Sequence, residues 1–442
     1  MLLIGNGTVI TQNPDRPLLD DGCVAIDDGI IVQVGNTTDI REKYSAGEFI
    51  DAMGKIIMPG LINTHHHIYS SFARGMILDG EAGANFIGIL EKLWWRLDRK
   101  LTLEDVKHSA YSTLLECIKN GVTTVFDHHA SPHSVKDSLF TIGEVSKKLG
   151  VRCCLCYEVS DRDGEAIMRE GIEENISFIK HANKNDQDML KGMFGLHASF
   201  TLSDESLNKC AEAMAGIDAG YHVHTAEGLD DVYDSLKKYG KRVVQRLFDF
   251  NILGEKSIAV HCVHINGLEM DILKDTRTNV VHNPESNMGN AVGSPPVIEM
   301  MRRGIRVGLG TDGYTSDMFE SMKVANILHK HNLSDPRVAW AEVPKMLFES
   351  NREIAATYFD KPVGILKEGA YGDVIVVDYK PHTPLNKNNI NSHILFGMMG
   401  ASVNTTIING KVLMRDRKVL VADEGEIISK SREVAEKLWK RV

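Results

Sequence analysis

Short apolar runs alternate with longer amphipathic stretches through the middle of the chain. Eight of these runs are candidate strands: IIMPGLINTHHH, VTTVFDHH, VRCCLCYEV, GMFGLHAS, YHVHTAE, SIAVHCVH, TNVVHNP and RVGLGTDG. Most are separated by segments of helical length, such as LTLEDVKHSAYSTLLECIKNG, where Thr102 followed three residues later by Asp105 is typical of a helix start. Strands that alternate with helices predict a parallel sheet, and eight such units over about 250 residues predict an α/β fold, the (β/α)8 TIM barrel.

The two ends of the chain follow a different pattern. Short β-branched runs between Gly, Asn and Asp turns precede the first barrel strand, and similar runs return near the C-terminus. We expect both sets to form one composite β-sandwich domain beside the barrel. The predicted boundaries are residues 1–58 for its N-terminal part, residues 59–365 for the barrel, and residues 366–442 for its C-terminal part with a terminal helix.

Polar residues collect at one end of nearly all the predicted barrel strands. In such barrels the carboxyl ends of the strands form the active-site face, so residues far apart in the sequence meet in one cup. The residues at these ends are His65 to His67, Asp127 to His129, Glu158, His197, His224, Glu227, His261, His264, His282 and Asp312.

The three consecutive histidines, His65 to His67, follow the first barrel strand. Side chains alternate between the faces of a strand, so His65 and His67 point the same way and His66 points the other way. Neutral imidazoles suit zinc or iron, and a catalytic site needs about three protein ligands with one position open to water. We predict that His65 and His67 bind one divalent metal ion, zinc or, as the alternative, iron.

Two later segments, HVHTAEG and GLGTDG, supply the rest of a catalytic set. A third imidazole comes from His222 or His224, and strand alternation cannot choose between them because both lie on the same face. Glu227 is the candidate general acid and base, since a carboxylate there could reach a metal-bound water without being a ligand. Asp312 could bind the metal and accept a proton from the attacking water.

The composition excludes several classes of protein. Sixty acidic against fifty basic residues give a formal charge of −10 over 442 residues, and no basic run is interleaved with aromatic residues, so nucleic acid is not an expected partner. No apolar run reaches the about 18 residues of a membrane span, and the N-terminus lacks a signal-peptide pattern. Seven cysteines do not indicate a disulfide framework. We expect a cytoplasmic protein without a membrane partner.

The ordered motifs resemble those of the amidohydrolase superfamily. They are MPGLINTHHHIYSSFARG, GVTTVFDHHASP, HVHTAEG, AVHCVHI, VVHNPESNMGNAVG and VGLGTDG. The most similar branch holds guanine deaminase, S-adenosylhomocysteine deaminase, cytosine deaminase-like enzymes and triazine chlorohydrolases. The resemblance covers essentially the whole chain. Members of this family are usually homodimers, so the resemblance implies a homodimer here as well. No lysine stands at the end of the CLCYEV or MFGLHAS strand, so a carbamate-bridged binuclear site is not expected.

The resemblance also implies roles for individual residues. It gives a mononuclear metal site held by His65, His67, His224 and Asp312, with Glu227 as proton shuttle and His261 orienting water or polarising the substrate. It implies substrate contacts from Arg74, His197, His282, Glu285 and Asn287, although a surface salt bridge is the alternative for Arg74. His128 and His129 either line the pocket, where His129 is the predicted substrate contact, or pair with Asp127 at the rim. The WWRLDRK segment is expected to cover the pocket mouth or to meet a partner subunit.

These expectations define one leading function. We predict a metal-dependent aminohydrolase that uses a metal-bound hydroxide to deaminate a purine-like or other nitrogen heterocycle, releasing ammonia. The same hydroxide could open a cyclic amide ring or dechlorinate a triazine. A different class of function is a metal-dependent redox or binding component, against which Glu227 argues because pure binding needs no proton shuttle.

Overall fold

The structure is a computed structural model that describes residues 1–78, 80, 83–184 and 188–442. Its strands, in chain order, are β1 (Leu2–Ile10), β2 (Leu18–Asp27), β3 (Ile30–Asn36), β4 (Glu48–Asp51), β5 (Ile56–Pro59), β6 (Leu61–His66), β7 (Val122–His129), β8 (Arg152–Tyr157), β9 (Leu190–Gly192), β10 (Phe194–Ala198), β11 (Tyr221–Thr225), β12 (Ile258–His261), β13 (Asn279–His282), β14 (Val307–Leu309), β15 (Val374–Val377), β16 (Val403–Ile408), β17 (Lys411–Arg415) and β18 (Lys418–Val419).

Helices follow most of the strands from β7 to β14, as the alternating pattern predicts. They are α1 (Thr37–Lys43), α2 (Phe86–Ile89), α3 (Trp95–Asp98), α4 (Leu103–Lys119), α5 (Ser138–Leu149), α6 (Glu165–Ala182), α7 (Asp204–Ala213), α8 (Leu229–Tyr239), α9 (Val243–Asp249), α10 (Gly267–Asp275), α11 (Pro284–Gly289), α12 (Val297–Arg302), α13 (Met318–Leu333), α14 (Glu342–Lys345), α15 (Asn351–Ala355), α16 (Ile390–Gly397) and α17 (Glu424–Trp439). The predicted start of α4 is confirmed, because Thr102 and Asp105 form a reciprocal capping box. Among the described helices, none is long and apolar enough to cross a membrane.

The parallel strands lie in two sheets. The first parallel sheet has the order β6-β7-β8-β9, and the second has the order β10-β11-β12-β13-β14. Single bridges join them, from Val159 to Leu196 and from His66 to Asp312. The predicted α/β fold is confirmed, but the closed barrel is not, because the described strands do not form one continuous ladder.

Both interruptions of the ladder have a physical cause. At the first interruption, the short strand β9 occupies the edge of β8. The next strand, β10, therefore pairs only with Val159, which lies beyond the end of β8. At the second, the side-chain amide of Asn351 lies between β6 and β14. Its Nδ2 donates to the carbonyl oxygens of Ile62 and Leu309, both at 2.8 Å, and its Oδ1 accepts from the N–H of Leu309. One side chain therefore replaces ladder hydrogen bonds between the two strands.

Strands from both ends of the chain share one mixed sheet of nine strands. Its order is β18-β17-β16-β15-β5-β1-β2-β3, with β4 beside β1. The composite origin of this domain is confirmed, whereas the hydrogen bonding gives one sheet instead of the two sheets of a sandwich. The cause is β5, where Ile57 pairs with Val9 on one side and with Val376 on the other. The domain boundaries stay predictions.

The mixed sheet is buried on both faces, which explains why β15 reads as a continuous apolar run. Val374 and Val376 belong to a small core within this domain, while Ile375 and Val377 belong to the large core that also contains the barrel helices. Successive side chains of β15 thus point to opposite faces, and one face packs the mixed sheet against the large core of the rest of the molecule.

Candidate active site

A cavity lies at the carboxyl ends of the parallel strands, where small-molecule sites of such folds are found. One part of its wall is polar and the other part is aromatic. The polar side chains include His67, His197, His224, Asp98, Glu158, Glu227 and Asp312, and the aromatic ones are Tyr69, Phe86, Trp94, Trp95 and Phe200. The WWRLDRK segment thus covers this cavity with Trp94 and Trp95.

Three imidazoles converge at the base of the cavity. One ring nitrogen each of His65, His67 and His224 lies within 4.8 Å of the others. The Nε2 atoms of His67 and His224 are 3.2 Å apart. Burial, and after it the neighbouring imidazoles, holds the pKa of His65 and His224 well below the ordinary value, so both rings are neutral near pH 7. Neutral imidazoles in this arrangement could hold a divalent metal ion.

The outer nitrogens of these rings show which atoms face the centre. Nδ1 of His67 donates to the carbonyl oxygen of His128 at 2.6 Å, and Nδ1 of His224 donates to that of His197 at 2.9 Å. In a neutral ring the other nitrogen then carries a lone pair, so two lone pairs face each other across 3.2 Å. The Nε2 atom of His65 is buried and has no hydrogen-bond partner among the described residues. A divalent cation satisfies all three nitrogens, so the residues fit a metal ion.

Asp312 completes the polar base of the cavity from the end of the eighth barrel strand. Its Oδ1 lies 3.4 Å from Nε2 of His67 and 4.0 Å from Nε2 of His65. Burial by itself would raise the pKa of Asp312, but the imidazoles of His67 and His261 hold it below the ordinary value. The carboxyl group is therefore ionised and can act as a ligand or a base.

Glu227 and His261 stand next to Asp312. The Nε2 atom of His261 lies 3.4 Å from Oε2 of Glu227 and 3.5 Å from Oδ2 of Asp312. Burial, and after it the charge of Asp312, raises the pKa of Glu227 well above the ordinary value, which favours the protonated form of this carboxyl group. Nδ1 of His261 donates to Oδ1 of Asn287 at 2.7 Å, which orients the ring.

Backbone strain is concentrated at two of these residues. Asp312 has a φ of +55° and His261 has a φ of +69°, in the left-handed region that non-glycine residues rarely adopt. Each such residue costs about 1–3 kcal/mol, and such strain clusters at functional sites.

The structure also distinguishes His222 from His224, between which strand alternation could not choose the third imidazole. His224 faces the centre, whereas Nε2 of His222 lies 2.9 Å from Nδ1 of His65 and so contacts the triad from behind. His66 points away, as predicted, with its Nε2 at 3.1 Å from Oγ of Ser316.

Four residues predicted to touch substrate lie outside the cavity wall. Arg74 is exposed and pairs with both carboxylate oxygens of Glu116, which was the alternative expected for it. His129 is buried against Ser131, and His282 is buried against His329. Glu285 is largely buried, and that burial raises its pKa to about 7. His197 lines the cavity. Asn287 instead accepts a hydrogen bond from Nδ1 of His261.

Other cavity residues were not predicted as site residues. Glu158 was visible as a polar strand end, but nothing in the sequence showed that its carboxylate meets His128 and His197. Asp98 also lines the cavity and belongs to the WWRLDRK segment. Its only sign in the sequence was a carboxylate next to aromatic residues. Phe200 carried no signal, because an aromatic residue after a strand is common.

The amidohydrolase family profile matches residues 56–413 of this chain. The chain belongs to the amidohydrolase family. It is 35% identical over 450 residues to a 5'-deoxyadenosine deaminase of Methanosarcina mazei, covering 100% of this chain and 99% of that protein. It is 32% identical over 444 residues to a 5-methylthioadenosine/S-adenosylhomocysteine deaminase of Pelotomaculum thermopropionicum, covering 100% and 99%. The fold is similar to that of an adenosine deaminase from Xanthomonas campestris with bound zinc, at a TM-score of 0.88 and 22% identity, covering 99% of this chain and 98% of that one.

The predicted class of activity is confirmed by these relationships together with the imidazole cluster. This member of the amidohydrolase family is a metal-dependent aminohydrolase, a hydrolase of carbon–nitrogen bonds of the deaminase type.

Proposed function

We propose that the protein removes the 6-amino group of an adenine nucleoside whose 5' position is modified. The names of the relatives from Methanosarcina mazei and Pelotomaculum thermopropionicum support this substrate class. The chemistry rests on the position of the Glu227 carboxyl group, which lies 3.4 Å from Nε2 of His261 beside the imidazoles and Asp312. An acid and a base held side by side with opposite pKa shifts are what hydrolytic deamination needs.

The aromatic wall binds and orients the heterocycle. Trp94, Trp95 and Phe200 present flat faces and edges to the cavity, and a purine ring can stack on them. Their apolar surface also excludes bulk water, which strengthens the polar interactions at the base of the cavity. His197 contributes a ring nitrogen to the same wall.

Four residues would hold the metal ion: His65, His67, His224 and Asp312. A bound zinc ion, with iron as the alternative, would lower the pKa of a water molecule toward about 7 and so supply a nucleophile near neutral pH. The ionised carboxylate of Asp312 takes a proton from the attacking water. His261, oriented by Asn287, lies between Asp312 and Glu227 and holds the water or the developing charge in place.

Glu227 carries the proton to the leaving group. Its protonated carboxyl group donates to the ring nitrogen next to the attacked carbon, and the carboxylate then takes a proton from the added water. That proton passes to the amino group, which leaves as ammonia while the ring keeps the oxygen. The proton taken up by Asp312 then returns to Glu227, which contacts the same imidazole of His261, so both carboxyl groups regain their starting states. Water and the aminated purine are consumed, and ammonia and the 6-oxo purine are formed.

The test is ammonia release by the zinc-reconstituted protein. Adenosine, 5'-deoxyadenosine, 5'-methylthioadenosine and S-adenosylhomocysteine would be compared with guanine, cytosine, an aminated triazine and atrazine. We expect turnover of the 5'-modified adenine nucleosides, with the 6-oxo product identified by its mass. If only atrazine loses chloride, or only a cyclic amide is opened, the proposal is wrong and the corresponding hydrolysis replaces it.

Glu227→Gln is the variant that tests the proton transfer. It keeps the size of the side chain, and we expect kcat to fall by about 10²–10⁴-fold because the proton shuttle is lost. Zinc content should stay unchanged, since Glu227 is not a ligand. The matched control is Glu205→Gln on the exposed surface, where Glu205 pairs with Lys209. Unchanged turnover in Glu227→Gln would remove this residue from the mechanism.

A further inference from the structure

Asp231 is a buried carboxylate in the wall of the cavity to which the proposed catalytic steps give no role. It lies in the first turn of α8, shortly after Glu227, and is 2% exposed. Its Oδ1 accepts a hydrogen bond from the N–H of Phe200, and its Oδ2 accepts one from the N–H of Ala226, both at 2.9 Å. Two N–H donors need two acceptor oxygens, so a carboxylate fits these bonds and the side-chain amide of an asparagine does not.

One of the two N–H groups belongs to the residue directly before Glu227. Ala226 has a φ of +47°, in the left-handed region that residues with a Cβ atom rarely adopt. Its N–H is held by Asp231, and its carbonyl oxygen accepts from the N–H of His264 at 3.0 Å. Oε2 of Glu227 lies 3.4 Å from Nε2 of His261. A change in the backbone of Ala226 would therefore move the carboxyl group of Glu227 relative to His261.

The other N–H group belongs to the aromatic wall of the cavity. Phe200 lies in the short turn Ser199–Thr201 that follows β10, and its side chain lines the cavity. The centre of its ring lies 6.5 Å from that of Trp95 and 5.7 Å from that of His197. Asp231 thus also holds the backbone of a residue on which the heterocycle would stack.

We propose that Asp231 is a positioning residue that holds the acid Glu227 in place against the aromatic residue Phe200. The inference rests on the proposed function, in which Phe200 orients the heterocycle and Glu227 transfers the proton. Proton transfer requires hydrogen-bond distance, and a misplacement of about 1 Å can lower a rate by about 10²-fold. A single carboxylate bonded to both segments therefore sets the geometry on which the proton transfer depends.

A carboxylate in the first turn of a helix can also stabilise the helix alone, because the N-terminal end of a helix carries partial positive charge. The first turn of α8 contains a second acidic residue, Asp230, which is exposed. Asp231 instead directs both oxygens to backbone N–H groups outside α8. Asp230→Asn removes the same charge from the same turn and leaves those two bonds in place, so it is the matched control.

The test is a double-mutant cycle between Asp231→Asn and Glu227→Gln, measured on the best substrate of the wild type. Burial raises the pKa of Asp231 to about 7, so the assays are run at about pH 8, where this carboxyl group is mostly ionised. We expect Asp231→Asn to lower kcat by about 10–10²-fold when Glu227 is present. In the Glu227→Gln background it should lower kcat by less than about 2-fold, because a residue that acts through Glu227 loses its effect when the acid is absent.

The second hydrogen bond of Asp231 should appear in KM. Asp231→Asn also disturbs the N–H of Phe200, so KM should rise in both backgrounds while the effect on kcat depends on Glu227. Zinc content, measured by inductively coupled plasma mass spectrometry, should stay at the wild-type value in every variant. Asp230→Asn should keep both kcat and KM, and an equal fall of kcat in Asp230→Asn and Asp231→Asn would reduce Asp231 to a residue that stabilises α8.

Replacement of Ala226 by lactic acid gives an answer even if Asp231→Asn does not fold. It turns one amide into an ester and deletes the N–H that donates to Asp231, while every side chain stays. We expect kcat to fall by about 10-fold, as for the loss of one hydrogen bond to a charged group. Unchanged kcat in this variant, or equal falls caused by Asp231→Asn with and without Glu227, would overturn the inference and leave Glu227 as the proton shuttle. Full activity of Glu227→Gln alone would instead remove the proposed mechanism itself.

Discussion

His222 and His224 lie two residues apart on the same face of β11, and their rings have different partners. Nε2 of His224 faces Nε2 of His67 at 3.2 Å, while Nε2 of His222 meets Nδ1 of His65 at 2.9 Å. Two residues along a barrel strand correspond to one layer of depth, so the two rings sit at different levels of the same interior. Alternation gives the face of a residue but not its depth, which is why it could not choose between them.

The different depths lead to different effects of substitution. His222→Ala removes the acceptor that orients His65, so we expect zinc affinity to fall by about 10–100-fold, as is usual for partners of metal ligands. His224→Ala removes a nitrogen at the centre and should weaken binding much further. Competition with a chromophoric chelator measures both values. Equal losses in the two variants would make His222 a ligand and would contradict the geometry.

At the scale of elements, Asn351 has an unusual position. It begins α15, yet its amide group lies between β6 and β14 and bonds to both. Its Oδ1 also lies 3.1 Å from Oγ1 of Thr64. The side chain is completely buried, so these backbone groups have no access to water if the amide is removed.

Asn351→Leu should therefore be strongly destabilising. Each buried backbone group left without a partner costs about 1–3 kcal/mol, so we expect the free energy of unfolding to fall by about 3 kcal/mol or more. Urea denaturation followed by circular dichroism measures this, with Asn388→Leu in an exposed loop as the control. A change below about 0.5 kcal/mol, which is typical of surface substitutions, would show that the amide does not support the two strands.

The elements differ in how far the sequence could predict them. The eight barrel strands and the start of α4 follow from local patterns, namely apolar runs, turn residues and the Thr102–Asp105 pair. The strand β9 is only three residues long and has no pattern of its own. The insertion of Asn351 depends on contacts across 289 positions with Ile62, and the meeting of Glu158 with His128 and His197 likewise depends on the assembled sheets. Such contacts leave no local signal.

At the scale of the whole molecule, the metal ligands come from both parallel sheets. His65 lies at the end of β6 and His67 directly after it in the first sheet, while His224 lies in β11 and Asp312 follows β14 in the second. The ladder between these sheets is reduced to single bridges at both places where they meet. Two backbone hydrogen bonds, from Thr311 and Asp312 to His65, also cross the second junction. A metal ion held by the four residues would therefore add a further link between the two sheets.

Removal of the metal should consequently lower the stability of the whole fold. A ligand present at 100 times its Kd stabilises the folded state by about 2.7 kcal/mol, and chelation removes that contribution. The lone pairs of His67 and His224 are then left facing each other, which lowers stability further. We expect the thermal midpoint to fall on addition of a chelator and to recover when zinc is restored. In His224→Ala the chelator should have a smaller effect, because the ion can no longer join the two sheets through His224. An equal fall in wild type and variant would mean that the metal at the triad does not hold the sheets together.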